Sequence, residues 1–291
     1  MSFPRLPVWL VYAAIVIALI LAALGRRENA DAPEAPPPPS PEEGALLAPA
    51  SAFDPSIVVK APEGPFQPVM GTAFSVADRG VWLTARHVIA GCKRIALMEA
   101  PGRAAEADIA PGGLAPEGGP TSDIAVLVTR GGAPAIALFK EPALRIGARG
   151  FHPGYPQARA GEATSRLIGR QTLVLRSRGA LGGRTAGRAE QVLAWAEAGR
   201  TDGLKGDLAG LSGAPALDAR GEVVGVTLAE APRRGRIYTT TPEAVREALA
   251  RAHIALTPAP LADPITVENY GRAADALRRD TRVAQVVCLG G

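Results

Sequence analysis

The sequence has few of the residues on which metal and nucleic-acid sites depend. Its 291 residues include only three histidines and two cysteines, far apart in the chain. Zinc sites need three or four such ligands at short spacings, so we expect neither a metal nor a cofactor. Aromatic residues make up 4% of the chain, and the stretch richest in arginine, residues 166–188, has none. Because single-stranded nucleic acid binds by stacking its bases on aromatic rings, we expect no nucleic acid partner.

Lysine is also scarce, since only four of the 32 basic residues are lysines and the formal net charge is +4. Glycine and proline, by contrast, are plentiful, with 33 and 27 residues. Such a turn-rich chain favours many short strands over long helices. A hydrophobic fraction of 47% is ample for a sizeable core.

The first 52 residues differ from the rest. Residues 8–24 form a run of 17 without a charge, which is marginally long enough to cross a bilayer. We expect residues 1–27 to be an uncleaved signal anchor, and a cleaved secretory signal is the alternative. Residues 28–52 contain four consecutive prolines, which predict an extended linker.

A glycine-rich segment, Gly210 to Pro215, contains the candidate nucleophile Ser212. A serine hydroxyl attacks a carbonyl only when a base takes its proton and fixed donors hold the oxyanion that forms. The flanking glycines leave room for a substrate main chain, and the amides of Gly210 and Ser212 could converge on one charge. By itself the segment is equally consistent with an ordinary loop.

A base and an acid that could orient it lie upstream of the serine. His87 follows two short apolar runs, 71–76 and 81–85, which predict a hairpin ending in a helical turn. Asp123 precedes the apolar run 124–128, which predicts a buried strand with Asp123 at its start. An aspartate in that position can orient an imidazole and stabilise its protonated form.

The two other histidines have structural interpretations. His152 lies in a predicted turn, Gly150 to Tyr155, and we expect it to have a loop role. His253 ends the predicted helix 242–252, where a histidine interacts favourably with the helix dipole.

The segments 84–88, 123–127 and 210–215 resemble three motifs of the chymotrypsin-fold serine peptidases. They come in the order His, Asp, Ser, separated by 36 and 89 residues, and resemble most closely the bacterial HtrA/Deg-like branch of the trypsin-like peptidases. The resemblance covers about residues 53–255. It departs from the family pattern at Arg86, where a small or amide residue is usual, and at Leu211, where animal trypsins carry an acid.

The resemblance implies an all-β fold of two six-stranded antiparallel barrels, with catalysis in the cleft between them. We expect the runs at 57–59, 72–74, 81–83, 95–97, 124–128 and 136–138 to form the first barrel. The peptidase domain would span residues 53–255, and residues 256–291 would be a C-terminal extension with a helix at 267–279 and a strand at 283–289. This extension is too short for a PDZ domain.

The function implied is that of a serine endopeptidase acting on protein or peptide substrates without a metal or cofactor. Ser212 would be the nucleophile, His87 the base and Asp123 the orienting acid, and the Gly210 and Ser212 amides would form the oxyanion hole. The first substrate pocket is expected to be lined by Gly206, Val226, Thr227 and Leu228. These residues predict a small or medium apolar preference, although Asp207 could approach the pocket.

The location implied is the bacterial inner membrane, with residues 8–24 as the anchor and the catalytic domain in the periplasm. Secretion after signal cleavage is the alternative. In such an oxidising compartment Cys92 and Cys288 could form a disulfide that joins the C-terminal extension to the first barrel. Two free buried thiols are the other interpretation. An oligomer is possible, but no residue specifies one.

Two other functions fit parts of the sequence. An α/β-hydrolase needs glycine two residues after the nucleophile, where this chain has Ala214, and its residue order would leave only His253 as the base. A catalytically silent peptidase fold that binds peptides or a partner remains the alternative function. All three triad residue types are present, which argues against it.

Overall fold

The computed structural model describes residues 15–17, 44–60, 70–100, 102–116, 122–140, 144–176, 188–231, 234–256 and 264–290. The strands are β1 (Ser56–Lys60), β2 (Met70–Ala77), β3 (Val81–Ala85), β4 (Arg94–Ala100), β5 (Arg103–Leu114), β6 (Ile124–Thr129), β7 (Arg149–Gly154), β8 (Gly161–Arg176), β9 (Arg188–Arg200), β10 (Pro215–Leu217), β11 (Val223–Ala231), β12 (Arg236–Thr240) and β13 (Val283–Leu289). The helices are α1 (Arg86–Ile89), α2 (Pro242–Arg251) and α3 (Tyr270–Arg279), and a 3₁₀ turn spans Pro156–Ala158.

The first barrel is closed and six-stranded, in the order β13-β2-β3-β6-β5-β4. Its strands pair antiparallel, with Leu83 of β3 opposite Phe74 of β2 and Val126 of β6. These three side chains lie on one face of the sheet and are fully buried, and Trp82, which points to the opposite face of β3, is buried as well. Trp82 satisfies its indole N–H by donating to the Thr129 hydroxyl at 3.0 Å, as a buried tryptophan must.

The second barrel has the order β8-β7-β10-β11-β12-β9 and closes through a long β8–β9 pairing. Its strand pairs are antiparallel, and β1 adds to the outside of β8 as a parallel edge strand. Trp195 of β9 is fully buried and donates its indole N–H to the Thr239 hydroxyl at 2.9 Å. The predicted all-β class with two six-stranded antiparallel barrels is therefore confirmed.

Two strand assignments were wrong, each because the true partner lies far away in the sequence. Residues 57–59 belong to β1 and pair with β8 of the second barrel, not with the first. Residues 136–138 form only an isolated bridge, Leu138 with Val223. The first barrel closes through the C-terminal strand β13, which inserts between β2 and β4 and pairs with both.

The C-terminal residues connect the two barrels. Helix α3 packs beside β7 and β8, where the Arg278 guanidinium lies 2.8 Å from the Glu162 carboxylate and both side chains are over nine-tenths buried. Strand β13 then completes the first barrel, and the predicted disulfide between Cys92 and Cys288 is present, with 5.3 Å between the Cα atoms. Much of the predicted C-terminal extension is thus a structural part of the barrels.

The N-terminal predictions fall mainly outside the described residues. Of the predicted span 8–24, only residues 15–17 are described, and residues 28–43 of the linker are not. Among the described residues, no helix has both the length and the apolar character needed to cross a membrane. The end of the predicted linker docks on the second barrel, since Leu46 bridges to Arg145 and Leu47 is buried.

Candidate active site

His87 and Asp123 form a close pair at one end of the first barrel. The imidazole Nδ1 lies 2.5 Å from the Asp123 Oδ2 atom, and the other carboxylate oxygen accepts the backbone N–H of His87 at 3.1 Å. The Asp123 side chain is 5% exposed, whereas that of His87 is 43% exposed. Two bonds from one carboxylate thus fix both the position and the orientation of the imidazole, while the outer part of the ring remains accessible.

Local structure explains why these two residues meet. His87 is the second residue of α1, which follows β3 directly, and Asp123 immediately precedes β6, the strand that pairs with β3. The N–H of Arg86 donates to the Asp123 carbonyl at 2.9 Å, which extends the β3–β6 ladder to the pair. The Arg86 guanidinium donates to the Ala115 carbonyl at 3.0 Å. This contact does not involve His87 or the Asp123 carboxylate.

Ser212 is held from both barrels. Its carbonyl accepts the N–H of Thr72 on β2 at 2.9 Å, and the Thr72 hydroxyl donates to the Gly210 carbonyl at 2.9 Å. On the other side, the Gly213 N–H donates to the Thr227 carbonyl of β11 at 2.7 Å. The serine therefore lies at the junction of the barrels, although its own sequence neighbours belong to the second.

The two glycines beside Ser212 are required by close backbone contacts. Gly213 has a φ of 88°, and a Cβ atom there would lie 2.0 Å from the Thr72 carbonyl oxygen. Gly210 has a φ of 95°, and a Cβ atom there would lie 2.5 Å from the Tyr155 carbonyl oxygen. Side chains at either position would force the nucleophile segment away from β2 or from the 3₁₀ turn.

The amides predicted to form the oxyanion hole are available. Within the described part of the chain, neither the Gly210 N–H nor the Ser212 N–H donates to a protein acceptor. The neighbouring Leu211 N–H is already bonded to the Leu208 carbonyl at 2.9 Å. Two unbonded donors on either side of a bonded one leave capacity for an anionic oxygen at this turn.

The serine hydroxyl is not yet bonded to its base. The Ser212 Oγ atom donates to the Leu228 carbonyl at 3.2 Å, and among the described contacts no hydrogen bond joins it to His87. Catalytic hydrogen bonds are often long or misaligned without substrate, so this geometry is compatible with a triad. A bond between Ser212 and His87 would require the hydroxyl to turn from Leu228 towards the imidazole.

The predicted pocket residues separate into two groups. Gly206 lies in the segment before the nucleophile, where its carbonyl accepts from Arg200 at 2.7 Å, and the Leu228 carbonyl meets Ser212. The side chain of Val226 is fully buried in the core, and the Thr227 hydroxyl bonds to His152 inside the second barrel. Of the four, Thr227 and Leu228 contact the nucleophile segment through their carbonyls, which accept from the Gly213 N–H and the Ser212 hydroxyl.

His152 is a core residue of a strand, so the predicted turn at 150–155 was wrong for most of its length. It lies on β7, is fully buried, and bonds to Ser165 at 2.7 Å and Thr227 at 3.2 Å. Burial lowers the pKa of His152 to about 3, so the ring is neutral at physiological pH. His253 lies exposed just beyond α2 and makes no described contact with the triad residues.

Sequence reasoning missed Glu190, which supports Asp123 from the second barrel. Its Oε2 atom accepts the Asp123 backbone N–H at 2.8 Å, and the residue is 6% exposed. This bond connects the residue just before β6 to β9. The only signal for it in the sequence is an isolated carboxylate just before the apolar run of β9.

A family model described as the trypsin-like peptidase domain matches residues 71–226, just over half of the chain. No curated protein matches the sequence significantly. Similar solved structures include the HtrA-type protease AlgW with decapeptide, at 21% identity and a TM-score of 0.47, with 63% of this chain and 51% of that chain covered. This chain thus spans about half the length of that structure.

Two further solved structures have a similar level of identity and a similar TM-score. An inactive form of Rv3671c from M. tuberculosis H37Rv is 21% identical, with a TM-score of 0.46 and coverage of 64% of this chain and 85% of that chain. The serine endoprotease from Yersinia pestis is 18% identical, with a TM-score of 0.46 and coverage of 63% and 57%. The family match over residues 71–226, which include His87, Asp123 and Ser212, confirms the predicted membership: the chain belongs to the trypsin-like peptidase domain family.

Proposed function

We propose that the chain is a serine endopeptidase that cleaves protein or peptide substrates with His87, Asp123 and Ser212. The observation that carries the proposal is the 2.5 Å contact between the His87 Nδ1 atom and a buried Asp123 oxygen, beside a serine held by both barrels. An imidazole bonded to a carboxylate through Nδ1 keeps its Nε2 atom free to accept a proton. Nothing in this arrangement calls on a cofactor.

The reaction follows from the positions of these groups. The Ser212 oxygen attacks the substrate carbonyl as His87 takes its proton, and Asp123 stabilises the imidazolium without becoming protonated. The Gly210 and Ser212 amides hold the oxyanion, and His87 then donates its proton to the leaving amine. Water repeats the sequence to release the acyl product from Ser212.

A catalytically silent fold is the second candidate. The bond from the Ser212 hydroxyl to the Leu228 carbonyl favours it, because a serine that stays on that acceptor is not activated. A fluorophosphonate distinguishes the two, since it labels only a serine whose proton has an acceptor.

The full chain is therefore treated with a fluorophosphonate beside the variants Ser212→Ala and His87→Ala. We expect the unaltered chain to be labelled and both variants to lose labelling. The variant His253→Ala, which changes a histidine outside the triad, serves as the matched control and should be labelled like the unaltered chain. Folded protein that never labels, with or without added peptide, would contradict the peptidase proposal and support the silent fold.

We also propose that residues 8–24 anchor the chain in a bacterial inner membrane, with the barrels in the periplasm. Support comes from the uncharged run itself and from the disulfide, which needs an oxidising compartment to persist. The full-mass chain should remain with carbonate-washed membranes, and the double variant Ile15→Arg, Ile17→Arg should not, because each central arginine costs about 3 kcal/mol of insertion free energy. A soluble product of lower mass would instead indicate a cleaved signal.

A further inference from the structure

Asp123 lies one residue outside the strand ladder that supports the rest of its segment. The pairing of β6 with β3 begins at Ile124, opposite Ala85. The Asp123 carbonyl accepts the Arg86 N–H at 2.9 Å, but among the described residues its own N–H has no acceptor on the first barrel. It donates instead to the Glu190 Oε2 atom at 2.8 Å. A side chain of the second barrel therefore takes the place of a strand partner.

These two backbone bonds decide where the Asp123 carboxylate points. The direction of a side chain is set by the φ and ψ angles of its residue, and bonds at the N–H and the carbonyl hold the peptide planes on both sides of the Asp123 Cα atom. The carboxylate itself bonds to His87 twice, at 2.5 Å to Nδ1 and at 3.1 Å to the backbone N–H. Bonds this short tolerate little rotation, so a shift of the Asp123 backbone would move its oxygen away from Nδ1.

Glu190 is placed to hold this geometry firmly. It lies on β9, opposite Leu173 of β8, and is 6% exposed. A carboxylate accepts a backbone N–H more strongly than a neutral group does, and groups carried by strands are held more precisely than groups carried by loops. The strength of the acceptor and the rigidity of β9 thus both limit the movement of Asp123.

We propose that Glu190 is a positioning residue for the peptidase reaction. It acts through the backbone of Asp123, and thereby fixes the His87 imidazole for its exchange of protons with Ser212. The second barrel then supplies the nucleophile and also the support of the acid that the first barrel carries. This inference rests on the proposed peptidase function.

A cavity of about 510 Å³ gives small solutes access to Glu190. Its lining includes Glu190, Ser122 and Arg170, and also the exposed Glu243 and Glu247 of α2, so it is open to solvent. Replacing Glu190 by alanine removes a CH2 group and a carboxylate, which acetate matches in size and charge. Acetate that enters the cavity can therefore offer an oxygen to the Asp123 N–H in place of the missing side chain.

Proton NMR of the full chain tests the positioning role without any cleavage. A proton in a bond as short as that between the His87 Nδ1 and Asp123 Oδ2 atoms gives a strongly downfield resonance. We expect this resonance in the unaltered chain and not in His87→Ala, which assigns it. It should be lost by exchange with water in Glu190→Ala. It should persist in Glu190→Gln, whose amide oxygen can still accept the Asp123 N–H.

Kinetics on a cleaved peptide give a second measurement. We expect Glu190→Ala to lower kcat by about 10- to 100-fold with little change in KM, because the reacting groups are misplaced while the substrate is still bound. Acetate, at an ionic strength held constant with chloride, should restore part of this loss in a saturable way. Glu190→Gln should stay within about threefold of the unaltered chain. Glu190→Asp keeps the charge but is one methylene shorter, so it should lose activity as the alanine variant does, and it serves if that variant does not fold.

Glu222→Ala is the matched control, because it removes another buried carboxylate from the second barrel, one that pairs with Arg220 at 3.1 Å. Thermal unfolding records how much stability each variant loses. The control should lose stability but keep the downfield resonance, and acetate should not change its kcat.

The outcomes separate this proposal from the peptidase function. A downfield resonance that is unchanged in Glu190→Ala and Glu190→Asp would overturn the positioning role, as would an equal loss in the alanine and glutamine variants that acetate does not restore. Fluorophosphonate labelling that needs Ser212 and His87 but not Glu190 would overturn it and leave the peptidase intact. A resonance that depends on Glu190 in a chain that neither labels nor cleaves would support the positioning of Asp123 and contradict the peptidase.

Discussion

Replacing Asp123 by asparagine is expected to lower kcat by about 10⁴-fold while the chain remains folded. One Asp123 oxygen accepts the backbone N–H of His87, and the other faces the imidazole Nδ1 atom. In Asp123→Asn the amide oxygen would keep the backbone bond, which turns the amide NH2 group towards Nδ1. That donor stabilises the tautomer with its proton on Nε2, and this nitrogen can then no longer accept the proton of Ser212.

The measurement is kcat on a cleaved peptide, together with the rate of fluorophosphonate labelling and a far-ultraviolet circular dichroism spectrum. The control variant is Asp108→Asn, which makes the same substitution at an exposed position of β5 and should leave kcat unchanged. A loss of less than about tenfold in Asp123→Asn would show that Asp123 does not set the tautomer of His87.

The contact between His87 and Asp123 could be predicted from the sequence because each residue lies in a short motif with its own local signal. His87 follows a hairpin, and Asp123 begins a run of apolar residues. Pairing of β3 with β6 then brings the two together without help from distant parts of the chain. Ser212 was indicated by its flanking glycines together with the upstream histidine and aspartate, and the positive φ angles of Gly210 and Gly213 match their close contacts with Tyr155 and Thr72.

The direction of each side chain along β11 could not be predicted in the same way. The pairing of β11 with β12 shifts register between Thr227 and Ala229, so the simple alternation of side chains fails at Leu228. A bulge of this kind depends on the partner strand and cannot be recognised in an apolar run such as Val223 to Leu228. Val226 is buried in the larger core cluster, whereas the Thr227 hydroxyl bonds to His152 inside the second barrel.

Long-range pairing limited the prediction of the fold. The segment 283–289 was predicted as a strand, but no local pattern indicates that it pairs with β2 and β4, about 190 to 215 residues earlier. The same holds for β1, whose parallel partner β8 begins about 100 residues later. The two cysteines were the long-range signal in the sequence, because a disulfide between Cys92 and Cys288 places the C-terminal segment next to the first barrel.

Removal of this disulfide is expected to lower the free energy of unfolding by about 5 kcal/mol, because it closes a loop of nearly the whole domain. Cys288 is fully buried on β13, where it pairs opposite Ile95 of β4, and Cys92 lies between α1 and β4. The 196-residue separation makes the loss of chain entropy in the unfolded state large. The double variant Cys92→Ala, Cys288→Ala should therefore unfold at a much lower denaturant concentration.

Reduction provides the matched control for this prediction. Dithiothreitol should move the unfolding midpoint of the unaltered chain close to that of the double variant, and it should leave the double variant unchanged. If neither dithiothreitol nor the double substitution lowers the unfolding midpoint, β13 is held by its pairing with β2 and β4 alone. Strand β13 completes the barrel that carries His87 and Asp123. We therefore expect the double variant, when warmed, to lose the ability to be labelled by a fluorophosphonate sooner than the unaltered chain. Its kcat at lower temperature should be affected less.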